Sequence, residues 1–209
     1  MIWSDCYATL ALAAYHTSRI RLGTGVAIAG TRLAPVTAHS IASINKLAPG
    51  RTFLGIGTGH TAMRIMGQNP VGPTAFREYL RVVRGLLDGE EVEYTHNGET
   101  RPIRFQDREL DCLNLEDRVP IYVGANGPKA LTATGVYGDG RISAGTEPVS
   151  VMRSNMEKVR RGAEQAGRTL PEDFHTSVLT YACVLKSGES LTSDRVVEET
   201  GAPVVSSLH

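Results

Sequence analysis

The chain has 209 residues with 22 basic and 22 acidic side chains, so its formal net charge is zero. That balance excludes a large sequence-independent nucleic-acid term, which needs a clustered positive face, and leaves any bound phosphate to be held by local groups. With 41% hydrophobic and 21% charged residues, the composition is that of a globular domain and not of a disordered chain.

In chain order, residues 4 to 17 predict a helix, capped by Ser4 or Asp5 ahead of an alanine- and leucine-rich run. Residues 19 to 28 read as a strand ending in glycines. Pro35 opens a second helix through Leu47, with Ile41, Ile44 and Leu47 at helical spacing, and Ala48-Pro49-Gly50 stops it. Residues 51 to 57 form a second strand that runs into Thr58-Gly59. A third helix carries one apolar stripe, Phe76, Tyr79, Leu80, Val83, Leu86 and Leu87, and ends at Gly89. Residues 90 to 118 break the rhythm and read as an insertion. Its segments 92–94 and 103–105 flank Asn97-Gly98, a pair suited to a primed hairpin turn.

The alternation resumes with a short apolar strand at residues 120 to 124 and a helix opened by Gly127-Pro128-Lys129 that reaches about Tyr137. A fourth strand follows at residues 140 to 145. Met152, Met156, Val159, Ala163 and Ala166 mark a further helix stripe, and residues 174 to 185 read as a fifth strand. Strands alternating with amphipathic helices predict an α/β fold, a parallel sheet with helices outside. No apolar run approaches the roughly 20 residues of a membrane span. The start, Met1-Ile2-Trp3-Ser4-Asp5, lacks the basic and apolar regions of a secretory signal. Cys6, Cys112 and Cys183 are far apart and odd in number, which predicts reduced thiols in a cytoplasmic protein.

The glycines fall at the carboxyl ends of successive strands: Gly25, then Gly57 and Gly59, then Gly124 and Gly127, then Gly145. In a parallel α/β protein that edge binds ligands, and glycine there lets the backbone approach one closely. Asn126-Gly127-Pro128-Lys129 reads as a helix start in which Asn126 caps, Pro128 sits where its missing amide costs nothing, and the free amides with Lys129 suit a phosphate. Simple capping with a solvated lysine is the plainer alternative. Gly55-Ile56-Gly57-Thr58-Gly59 lacks the third glycine of a dinucleotide fingerprint and an acidic residue about 20 positions on. No Walker-type loop is present, and no histidine pair has metal spacing, so no metal is expected.

Taken together, several blocks resemble the luciferase-like family of flavin- and deazaflavin-dependent oxidoreductases. They are residues 13–26, 49–59, Phe76-Arg77-Glu78-Tyr79, residues 120–131 and Gly138-Asp139-Gly140. The similarity is greatest to the F420-dependent branch that contains methylenetetrahydromethanopterin reductase. The resemblance implies a TIM-type (β/α)8 barrel with a cofactor at the carboxyl ends of the strands. It implies a cis peptide at Gly25-Val26, forming a bulge behind the cofactor's central ring. It puts Gly57-Thr58-Gly59 beside the ring and ribityl chain. It puts Gly124, Ala125, Asn126, Gly127, Pro128 and Lys129 near the cofactor's side chain and phosphate. His60 stands where several relatives carry an acidic residue, and an imidazole there can give or take a proton, which makes it the candidate catalytic residue. His39 is expected to be structural, and His96 and His209 carry no supporting pattern.

The activity implied is hydride transfer between coenzyme F420 and a small organic substrate. The alternatives are an FMN-dependent monooxygenase of the same family, or a truncated member without activity. A homodimer is implied, with no nucleic-acid or membrane partner. A complete barrel takes about 250 residues. Only five barrel strands are readable here, with the first two and the last missing, so the pattern predicts a single partial barrel over residues 1–209. Either it is part of a longer product or a second copy supplies the missing wall.

Overall fold

A computed structural model describes residues 4–106, 108–144, 147–180 and 182–207. Helix α1 (Cys6–His16) starts where Asp5 accepts hydrogen bonds from the Tyr7 and Ala8 amides, each 3.0 Å, as its capping position requires. The strand expected over residues 19–28 is two short pieces, β1 (Leu22–Gly23) and β2 (Ala27–Ile28), separated at a cis Gly25–Val26 peptide. Helix α2 (Ala34–Leu47) buries Ile41 and Ile44 but turns Leu47 outward, 55% exposed. Strand β3 (Thr52–Gly57) is followed by a short helix that the sequence reading lacks, α3 (His60–Ile65), whose capping residue Gly59 has a φ of 80°. A Cβ on Gly59 would also lie 2.2 Å from Ile28 Cγ2, so both conformation and space call for glycine.

Helix α4 (Pro73–Leu87) buries Phe76, Leu80, Val83, Leu86 and Leu87 as its stripe predicts. Tyr79 is half-buried, its hydroxyl 2.6 Å from Thr37 Oγ1, and burial pushes its phenol up to about 12. Strands β4 (Val92–His96) and β5 (Glu99–Ile103) form the antiparallel hairpin, with Asn97 at φ 51° and Gly98 at φ 82°, the paired positive φ of a primed turn. The remaining elements are β6 (Ile121–Gly124), α5 (Pro128–Tyr137), β7 (Gly140–Ala144), α6 (Val149–Gln165), β8 (His175–Leu179) and α7 (Asp194–Ser207).

The parallel strands run β1-β3-β6-β7-β8, with β2 also on β3, so the expected five positions are present in one sheet. Buried Leu54 and Ile56 of β3 and Ile121 and Val123 of β6 join Ile41, Phe76, Leu80 and Leu131 of the helices in one core. Helix α2 packs on α4, α4 on α5 and α5 on α6, an outer layer that follows the strand order. The fifth strand is shorter than expected: β8 stops at Leu179, where its partner Ala144 ends β7. In α6 the stripe buries Val159 and Ala163, while Ala166 is the exposed capping residue. Gly145, Tyr181 and His209 lie outside the described residues.

Helices α5 and α6 meet through glycine on both sides. A Cβ on Gly135 would lie 2.0 Å from the Val159 carbonyl oxygen, and one on Gly162 would lie 2.3 Å from the Thr132 carbonyl oxygen. Backbone cannot swing aside as a side chain can. Gly162→Ala is therefore expected to lower the thermal midpoint, because overpacking costs about 1–3 kcal/mol or more. That exceeds the roughly 1 kcal/mol that alanine gains in helix propensity. An unchanged or raised midpoint would contradict this reading of the crossing.

Candidate functional site

Parallel pairing brings the carboxyl ends of β2, β3 and β6 level, with Ile28 opposite Gly57 and Gly57 opposite Gly124. The bulge between β1 and β2 is anchored on β3. The buried Thr24 hydroxyl donates to the Gly55 carbonyl at 2.6 Å, and a Cβ on Gly55 would lie 2.0 Å from the Thr24 carbonyl oxygen. The Val26 side chain then lies across the strand ends. A Cβ on Gly57 would come within 3.2 Å of Val26 Cγ2, and one on Gly124 within 3.7 Å of Val26 Cγ1. Val26 is 37% exposed, so the bulge presents an apolar surface at the carboxyl edge of the sheet, where parallel α/β proteins bind ligands.

Beside it a cleft of about 400 Å³ opens between the β3 and β6 loops. Thr58 and His60 line one side, Val71 and Pro73 form an apolar wall, and Gly124 with residues 126–130 forms the other side. Pro128 begins α5, and the amides of Lys129 and Ala130 belong to the helix's first turn, which lacks intrahelical acceptors. With the Lys129 ammonium these donors suit an anionic group. Thr58, His60, Gly124, Asn126, Gly127, Pro128 and Lys129 thus line one cleft. Gly25, Val26, Gly57 and Gly59 shape the adjoining bulge and turn. Ala125 is 1% exposed and does not open onto the cleft.

Asn126 does not cap α5 as the sequence reading expects. Gly127 is the capping residue, and no side chain bonds the first-turn amides. The Asn126 Oδ1 instead accepts from Arg141 Nη2 at 3.3 Å. Arg141 on β7 is fully buried and also bonds the Ala125 carbonyl and Glu147. The Arg141 hydrogen bonds hold the Glu147 carboxyl below the usual carboxylate range. Sequence reading missed this group; an arginine inside the short run Gly140-Arg141-Ile142-Ser143 was the available signal.

His39 is exposed on α2, its ring edge-on to Phe105 at 6.0 Å. It lines a second cleft of about 610 Å³ together with Lys46 and Phe105, and none of the strand-end glycines reaches that space. Among the described residues no group of three His, Cys, Asp or Glu side chains could hold a metal ion. No described helix is long and apolar enough to cross a membrane.

A curled parallel sheet with helices outside and a cleft at the strand ends defines a partial α/β barrel. The chain belongs to the luciferase-like monooxygenase family, whose model matches residues 1–200. It is 35% identical over 205 residues to the 5,10-methylenetetrahydromethanopterin reductase of Methanolobus tindarius, covering 96% of this chain and 58% of that protein. It is 35% identical over 144 residues to the F420-dependent hydroxymycolic acid dehydrogenase of Mycobacterium tuberculosis, covering 66% of this chain and 38% of that protein. Among solved structures it resembles the coenzyme F420-dependent tetrahydromethanopterin reductase of Methanopyrus kandleri, with a TM-score of 0.62 and 29% identity over 86% of this chain and 55% of that one. The chain therefore spans about half the length of these relatives.

Proposed function

We propose that this chain forms the cofactor-binding part of an F420-dependent oxidoreductase that transfers a hydride between the deazaflavin and a small organic substrate. The observation that carries the reading is that the Val26 bulge adjoins the cleft formed by the β3 and β6 loops and the α5 start. The names of the relatives, two of them F420-dependent enzymes, support the choice of cofactor. When bound, F420 supplies a ring carbon that gives or accepts the hydride.

The residues fit such a group. Val26, over Gly57 and Gly124, offers a flat apolar seat for a ring, since neither glycine raises a side chain against it. Lys129 and the first-turn amides of α5 bind an anionic side chain. Val71 and Pro73 exclude water from one wall. His60, at the cleft, holds or delivers a proton. Titration of the purified chain with F420 and with FMN tests the reading. F420 binding is expected; tight FMN binding with none of F420 would overturn it and favour the monooxygenase alternative, which oxygen consumption with reduced FMN then checks. The homodimer and cytoplasmic location expected from the sequence remain part of this proposal, and sedimentation of the purified chain tests the first.

A further inference from the structure

Arg141 presents an energetic question. Its side chain is fully buried, and replacing a buried ion pair by apolar groups of similar volume is often neutral or stabilising. Stability alone therefore does not account for an arginine in the middle of a core strand. Its contacts point elsewhere. Nε donates to the Ala125 carbonyl at 2.9 Å, and Nη2 donates to Asn126 Oδ1 at 3.3 Å. Nη1 and Nη2 hold both Glu147 carboxylate oxygens at 2.8 Å each. Asn155 Nδ2 donates to Glu147 Oε1 at 2.6 Å, and Lys158 donates to Asn155 Oδ1 at 3.0 Å. The guanidinium is thus fixed from α6 and grips the two residues that lead into α5.

A guanidinium has five donors and no acceptor. Only the oxygen end of the Asn126 amide can face it, so the Nδ2 end is turned away from Arg141. No acceptor among the described residues takes the Asn126 Nδ2 hydrogens, and Asn126 lines the cleft beside Lys129.

We propose that Arg141 is a positioning residue of this site: it locks the Asn126 amide so that its two N–H donors are presented to an acceptor oxygen of the bound cofactor. The inference rests on the cofactor reading above for the identity of the ligand. The Ala125 carbonyl bond fixes the backbone from which Asn126 projects, and Glu147 fixes the plane of the guanidinium.

The test is a double-mutant cycle on F420 affinity measured by calorimetry. Because Arg141→Met alone leaves Glu147 buried without its partner, Arg141→Met/Glu147→Leu is used, which removes both charges together. Asn126→Ala and the double-charge variant are each expected to weaken F420 binding by about tenfold, the worth of one hydrogen bond to a charged or strongly polar group. Combining them is expected to add almost nothing, because both remove the same interaction. Additive losses, or unchanged affinity in the folded double-charge variant, would overturn the proposal. A purely structural role would move the melting midpoint and leave the cycle additive. A second readout needs no cofactor: the Asn126 side-chain amide signals in a nitrogen–proton NMR spectrum of the free chain. They are expected to shift and broaden when Arg141 and Glu147 are replaced, and unchanged signals would overturn the proposal. If the unaltered chain does not bind F420 at all, the functional reading fails, and the NMR measurement still decides whether Arg141 orients Asn126.

Discussion

Asp139→Ala is expected to lower the thermal midpoint by roughly 10 °C. Asp139 lies between α5 and β7, at the opposite edge of the sheet from the cleft, with its side chain 12% exposed. Its Oδ2 accepts from the Ile121 amide at 2.9 Å and from Arg84 at 3.2 Å, and its Oδ1 accepts from Arg118 at 2.8 Å and Arg168 at 3.1 Å. Its backbone joins the strands as well, because the Asp139 amide donates to the Ile121 carbonyl and the His175 amide donates to the Asp139 carbonyl. The Asp139 backbone thus ties the starts of β6 and β8, while its carboxylate joins the start of β6 to arginines from three directions.

Arg84 is the most buried of these arginines, its side chain 10% exposed, and burial pushes its guanidinium below the ordinary value while Asp88 and Asp139 oppose the shift. Removing one partner of a buried ion pair costs about 3–5 kcal/mol, since the remaining charge stays desolvated. Part of that loss is offset here because Arg84 keeps Asp88 and the Val119 carbonyl, and Arg168 keeps the carbonyls of Gly135 and Val136. A change of 1 kcal/mol moves the midpoint of a chain this size by about 2–4 °C. Calorimetric melting of Asp139→Ala and Asp139→Asn checks the argument. The amide can still accept from the Ile121 amide, so Asn is expected to lose about half as much. Equal midpoints for the wild type and the alanine variant would show that the cluster contributes nothing.

His60→Gln is expected to lower turnover by about 10²–10⁴-fold, the usual contribution of a positioned acid or base, with cofactor affinity nearly unchanged. His60 is the first residue of α3 and lines the cleft opposite Lys129. The left-handed Gly59 ahead of it turns the chain so that α3 begins at the mouth of the cleft rather than continuing the line of β3. Glutamine keeps the size and hydrogen-bonding capacity of the side chain but cannot act as a general acid or base. The measurement is the pH dependence of kcat for the assembled enzyme with F420 and its substrate. Loss of one limb of the profile together with the fall in rate supports proton transfer. Full turnover with an unchanged profile leaves His60 as a wall residue only.

Local patterns carried most of the architecture. The Phe76–Leu87 stripe and the Asn97-Gly98 turn are readable because each needs only neighbours within a few residues. Helix α3 was not readable: it spans His60–Ile65, too short for a clear period, and no side chain caps it. The strand expected through residue 185 stops at Leu179, because β8 lies at the end of the strand order and pairs with β7 alone among the described strands. The split of residues 19–28 into β1 and β2 depends on the Thr24 bulge meeting Gly55, a contact across 31 positions.

The candidate site divides in the same way. The glycine-ended strands and the Asn126-Gly127-Pro128-Lys129 turn mark the candidate binding edge in the sequence alone, because alternation and backbone freedom are local properties. Only the packed chain decides what their side chains do. The Asn126 amide is held by Arg141 from the neighbouring strand instead of capping its own helix, and Asp139 collects arginines from distant segments. A residue's partner for a buried charge is chosen by which strands and helices come together, and hydrophobic periodicity carries no record of that choice.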